Sequence, residues 1–191
     1  MNAAKKRSSA PQNVNGYDAI EMLKADHDKV KDMFKQFEEL MDQDGTKKEK
    51  TALAQRICDA LKIHSQIEEE IFYPAVRLAI DDDDLLDEAE VEHASIKELV
   101  EQIEAMHAGD DRYDAKVIVL GEQVEHHVIE EEDEMFPMVK SAKVDTAELG
   151  AQMHQRKQGL MAELGIREEH DDGMAAASKK KSKPTHGRAF S

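Results

Sequence analysis

The sequence predicts an all-α protein: an up-and-down antiparallel four-helix bundle, a short fifth C-terminal helix packed outside it, and disordered tails. Three observations carry that expectation. Apolar residues recur at alternating steps of three and four through four long segments, the spacing that keeps side chains on one face of an α-helix. No strand-like alternation competes with that period. The breaks between segments are short and rich in Gly and Asp, so consecutive helices should pack as antiparallel neighbours.

Residues 1–16 contain Ser, Asn, Lys and Pro and read as a flexible lead-in. The first helix is expected over 18–41, ending at Asp44-Gly45, with the seam Ile20, Leu23, His27, Val30, Phe34, Phe37 and Met41. The second is expected over 48–79, ending at the run Asp81 to Asp84; its seam is Leu53, Ile57, Ala60, His64, Ile67 and Ile71. The third, over 85–107, presents Leu86, Ala89, His93, Ile96, Val100, Ile103 and His107 and stops at Gly109-Asp110. The fourth, over 113–140, presents Tyr113, Val117, Leu120, Val124, His127 and Glu131. A fifth helix over 146–164 completes a single domain of residues 17–164, and 165–191 read as a disordered basic tail.

Length supports that organisation, since 191 residues suit one domain with tails. Charge is unevenly placed. The ends hold Lys5, Lys6, Arg7, Lys179, Lys180, Lys181, Lys183 and Arg188 and no acids, so the middle keeps all 42 acids and 26 − 8 = 18 bases, a net of −24. Such a body repels nucleic acid and anionic membrane. The single cysteine, Cys58, can form no internal disulfide, which points to a reducing compartment. No signal-peptide pattern and no bilayer-length apolar run is seen, so the expectation is a cytoplasmic protein without nucleic-acid or membrane partners.

The chemistry lies in an anomaly. Each of the four apolar seams carries one histidine: His27, His64, His93 and His127. One histidine on an apolar stripe is ordinarily a hydrogen-bonded core residue. Four, one per helix and near mid-seam, would each cost a few kcal/mol to bury without partners, a cost that a shared metal removes. Glu68 and Glu131 follow His64 and His127 by four residues, so each projects from the same face one turn on. A carboxylate can bridge two cations, whereas an imidazole nitrogen ligates one. The two segments also repeat: an offset of 63 aligns Pro74 with Pro137, His64 with His127, Glu68 with Glu131 and Glu69 with Glu132, while His27 and His93 differ by 66. Two helix pairs, each bringing His…His-x-x-x-Glu, would make one nearly symmetric two-metal centre.

The pattern resembles the hemerythrin-like, HHE cation-binding family over residues 17–164. The pieces that carry the resemblance are Ala25-Asp26-His27-Asp28-Lys29-Val30, His64 to Glu70 followed by Ile71-Phe72-Tyr73-Pro74, Glu92-His93, and His127 to Asp133 followed by Met135-Phe136-Pro137. The resemblance implies a non-heme centre of two iron ions with an oxo or hydroxo bridge. It implies His27, His64, His93 and His127 as terminal ligands and Glu68 and Glu131 as bridges. Two departures matter. Where oxygen carriers have a second third-helix histidine, this chain has Lys97, a poor ligand. Carriers also use an Asp five residues after the fourth-helix histidine. That offset gives Glu132 here, and the internal repeat favours Glu131. The chain therefore resembles the four-histidine, two-glutamate branch, which includes sensors of iron or oxygen and proteins acting on peroxide or nitric oxide. Two readings follow: a centre that binds, senses or reacts with O2, peroxide or NO, and a di-iron oxidoreductase with catalase-like, NO-reducing or iron-centre-repair activity. No residue is assigned a catalytic role.

Other polar groups have plainer readings. His126 lies about 100° round the helix from His127 and should be exposed. His107 suits a helix-end partner, and His154, His170 and His186 lie in the outer helix or tail. Glu90 completes only half of a Glu-x-x-His pair motif, because its fourth-helix counterpart is Val124. Among Tyr17, Tyr73 and Tyr113 the sequence does not distinguish a phenol at the site from packing.

Overall fold

The computed structural model describes residues 16–43 and 45–166. The expected lead-in and basic tail lie outside the described residues, apart from Gly16, Gly165 and Ile166. The first helix is α1 (Ala19–Asp42). The second is a continuous rod of α2 (Lys47–Ile67), a π-helical turn at Glu68–Phe72 and α3 (Tyr73–Ala79). The third is α4 (Asp83–Glu104). The fourth repeats the second's design, with α5 (Tyr113–Glu130), a π-helical turn at Glu131–Met135 and α6 (Phe136–Ser141). The fifth helix is α7 (Thr146–Glu163). These form the helical bundle that the seams predict, with α1 packed on α2 and α5, and α4 packed on α5 and α2.

The helix starts follow from local chemistry. Asp18, Asp82 and Asp145 each accept a backbone N–H of the first turn. Thr46 and Glu49 form a reciprocal capping box. The third helix stops at Glu104, three residues short of the expected end. The Asp110 carboxylate captures the His107 N–H at 2.8 Å and Gly109 turns the chain at φ 103°, so His107 sits exposed in the turn.

The seams bury two apolar clusters. One holds Phe37, Ile57, Val100, Ile103 and Leu120; the other holds Ile20, Leu23, Phe72, Leu86, Phe136 and Val139. Between them lies a polar layer. Its seven buried polar residues are the four seam histidines, Glu68, Glu131 and Ser65. Outside the bundle, α7 packs on α1 and α2. Gly150 makes this fit possible: a Cβ there would stand 2.8 Å from the Ala19 nitrogen and the Tyr17 oxygen. Lys157 pairs with Asp26, Arg156 with Glu70, and His154 stacks on Tyr17. No helix among the described residues is long and apolar enough to cross a membrane.

Candidate metal centre

All six sequence-selected residues converge, and none is more than 9 % exposed. The histidine Nε2 atoms meet in two pairs, His27 with His64 at 3.2 Å and His93 with His127 at 3.0 Å. Two ligands about 2.1 Å from one ion and at right angles to each other stand about 3.0 Å apart, the spacing seen here. The glutamates join the pairs. Glu68 Oε2 lies 3.2 Å from His64 Nε2 and 3.5 Å from His93 Nε2. Glu131 Oε2 lies 3.2 Å from His27 Nε2 and 3.7 Å from His127 Nε2. Each carboxylate thus faces one histidine of each pair.

The opposite ring nitrogens explain why the Nε2 atoms point inward. His27 Nδ1 meets Glu132 at 2.9 Å, His93 Nδ1 meets Glu69 at 2.9 Å, and His127 Nδ1 meets Glu92 at 2.7 Å. His64 Nδ1 faces Asp26 more loosely, at 3.7 Å. A carboxylate can only accept, so the first three imidazoles carry their proton on Nδ1 and present an Nε2 lone pair to the centre. These outer acids obey the internal repeat as well: Glu69 and Glu132 are 63 apart, Asp26 and Glu92 are 66 apart. Glu131 and Glu132 therefore occupy different places, the first buried against Nε2 atoms and the second outside, on an Nδ1. Lys97 donates to Glu69 at 2.5–2.6 Å, and so supports His93 from outside.

The electrostatics of the cluster suit a cation. Both oxygens of Glu68 and Oε2 of Glu131 are buried with no hydrogen-bond partner among the described residues. Facing lone pairs and unpaired carboxylate oxygens require positive charge between them. Without an ion, protons supply it. Burial lowers the His64 pKa, but the carboxylates of Glu68 and Asp26 outweigh that and raise it. His127 shifts the same way, burial being overcome by Glu92 and Glu131. Burial would raise Glu131, yet His27 and His127 hold its carboxyl well below the usual range. Asp26 is held at about 2, against burial, by His64 and Lys157. A donor set of four imidazoles and two carboxylates fits first-row transition metals such as iron.

The π-helical turns fall on the two glutamates. Tyr73 N–H reaches back to the Glu68 carbonyl and Phe136 N–H to the Glu131 carbonyl, five residues each. The widened turns precede Pro74 and Pro137, which have no N–H to give to the regular ladder. They also carry the residue five positions after each glutamate toward the centre. In one half this is Tyr73, 2 % exposed, whose hydroxyl donates to Glu131 Oε1 at 2.9 Å and lies 3.2 Å from His93 Nε2. In the other half it is Phe136, stacked parallel to His27 at 5.9 Å. The halves are thus chemically unequal: a phenol attends the His93–His127 pair, and an apolar ring attends the His27–His64 pair. Burial, then Glu131, pushes the Tyr73 pKa well above 10, so the phenol keeps its proton.

A cavity of about 740 Å³ opens between α1, α2 and the end of α7, and all four histidines line it. His126 is 65 % exposed and pairs with Glu130 at 3.3 Å on the surface. Glu90 turns away to Arg77. Of the tyrosines, Tyr73 alone joins the described cluster, whereas Tyr113 packs in the first apolar cluster.

A helical bundle enclosing this set of imidazoles and carboxylates defines a cation-binding protein. The hemerythrin HHE cation binding domain profile matches residues 18–139, and the chain belongs to that family. A DNA nickase from Nostoc sp. is 30 % identical over 141 residues, covering 74 % of this chain but 38 % of that protein, so this chain spans about two fifths of the relative's length. The crystal structure of a hemerythrin HHE cation binding domain-containing protein from Mycobacterium kansasii superposes with a TM-score of 0.64 at 24 % identity. The match covers 76 % of this chain and 88 % of that one.

Proposed function

We propose that this protein holds a non-heme two-iron centre of the hemerythrin kind and binds, senses or reacts with a small oxidant: O2, peroxide or NO. His27, His64, His93 and His127 are its terminal ligands, and Glu68 and Glu131 its bridges. The observation that carries the reading is that each glutamate faces one histidine from each pair. An iron pair supplies one-electron steps at each ion. The four imidazoles and two carboxylates would hold the ions, and positions that six residues leave open on two such ions would take the oxidant. Glu69, Glu92 and Glu132 fix the tautomers of three histidines. The test is metal content. Purified protein should hold two irons per chain with oxo-bridged ferric absorption, His64→Ala should hold almost none, and His126→Ala should be unaffected. The reverse pattern of the two variants contradicts the assignment.

A second reading, turnover of peroxide or NO, is favoured by one observation: a protonated phenol stands at the histidine pair, the Tyr73 hydroxyl donating to Glu131 Oε1 with its oxygen 3.2 Å from His93 Nε2. Tyr73→Phe should then retain iron and lose most iron-dependent turnover, and unchanged turnover ends this role. We place the protein in a reducing compartment, the cytoplasm, because its one cysteine can form no internal disulfide, and without a nucleic-acid partner, because its net charge is −16. Nicking of supercoiled plasmid by the purified chain would overturn that placement and favour the activity named for the Nostoc relative.

A further inference from the structure

The cavity is far larger than a diatomic molecule or peroxide needs. At about 740 Å³ it falls among pockets that enclose whole organic molecules, roughly 300–1,000 Å³. Its wall is apolar, with Val30, Met33, Ile96, Val124 and Val128 running inward to the four histidines. Its rim is basic in a protein that is otherwise strongly acidic. Lys29 of α1 and Arg56 of α2 are exposed there, and neither forms an ion pair or hydrogen bond among the described residues. Of the other rim charges, Lys157 pairs with Asp26, and Asp59 accepts from the neutral Gln55 and keeps its charge, so Lys29 and Arg56 leave the rim with a net charge of +1. Two uncommitted cations beside a long apolar wall suit one kind of molecule, a chain with an anionic end.

We propose that this cavity binds a free long-chain carboxylate, a fatty acid or its oxygenated derivative, with the carboxylate at Lys29 and Arg56 and the chain directed along the wall toward the histidines. The proposal rests on the reading above only in taking that floor as the metal centre. It widens the ligand class of the centre from small oxidants to an organic amphiphile.

The experiment titrates the full-length, metal-loaded protein with dodecanoate and, separately, with dodecyltrimethylammonium, both below their micelle concentrations. Displacement of a fluorescent fatty acid reads binding, and circular dichroism checks that the helices persist. Dodecanoate should bind once per chain, at least about tenfold tighter than the cationic analogue. K29E/R56E should lose about tenfold for dodecanoate while leaving iron content unchanged, in line with two surface charge contacts. Absence of saturable binding, equal binding of both head groups, or a variant that binds dodecanoate normally overturns the proposal. Pelleting with phosphatidylglycerol vesicles in place of dodecanoate binding also overturns it, in favour of a membrane surface. Iron content is read separately, so failure of the cavity and failure of the metal centre give different results.

Discussion

Stripping the metal should destabilise the fold by an amount the geometry bounds. Three carboxylate oxygens, both of Glu68 and Oε2 of Glu131, are buried without a hydrogen-bond partner among the described residues. A buried acceptor left unsatisfied costs about 1–3 kcal/mol, so three cost about 3–9 kcal/mol when no cation answers them. Protonation of His64 and His127, whose pKa values are raised, relieves part of this and favours the lower half of that range. A domain's whole stability is about 5–15 kcal/mol, and at this size each kcal/mol moves the melting midpoint by about 2–4 °C. Calorimetry of the purified protein, the chelated protein and the reloaded protein should therefore show a fall of about 6–24 °C on chelation, reversed by metal. A midpoint unchanged after complete removal of metal would refute the argument that the polar layer exists to hold cations.

Four further outcomes follow from the same structure. Glu92→Gln and Glu69→Gln should keep the fold and weaken metal binding about 10–100-fold in competition with a chelator, because each replaces the anionic acceptor of a histidine Nδ1–H with a neutral, weaker amide oxygen; unchanged affinity would show that carboxylate support at Nδ1 is dispensable. Metal affinity should rise with pH across the neutral range. The pKa values of His64 and His127 are raised in the metal-free fold, so these imidazoles are protonated below those values and must release protons to ligate; an affinity that is flat or falls from pH 6 to 8 contradicts this sign. The Cys58 thiol is pushed up to about 12, by burial and then by Glu104, so Ellman's reagent should react only as fast as the protein opens, and rapid reaction in the native state contradicts its burial. Gly150→Ala should cost about 1–3 kcal/mol in urea unfolding, since its Cβ meets backbone of the α1 entry at 2.8 Å, and a neutral effect would mean that α7 is not seated there.

What was legible in the sequence follows from helical geometry. Residues on a three-and-four seam share one face of an α-helix, so His27, His64, Glu68, His93, His127 and Glu131 stood out as polar residues in apolar rows, and the structure brings them together. Tyr73 was hidden because it lies five residues beyond Glu68, a step that faces the centre only after a π-helical turn. The internal repeat held a clue, since an offset of 63 sets Tyr73 against Phe136, but only the coordinates give that pair unequal surroundings. Glu69 and Glu132 were visible as a repeated pair without a role. Asp26 and Glu92 directly precede seam histidines, yet they serve those of neighbouring helices, His64 and His127, a relation no single-helix pattern contains. The early stop of α4 turned on one carboxylate capturing one N–H. The cavity depends on how side-chain volumes fill the space between five helices, which periodicity does not encode.

The most direct test is anomalous diffraction at the iron edge from crystals of the purified, unchelated protein. The account predicts two peaks per chain, one between the Nε2 atoms of His27 and His64 and the other between those of His93 and His127, with Glu68 and Glu131 spanning both. A single peak, or peaks on the surface acids with the histidine pairs empty, would contradict it.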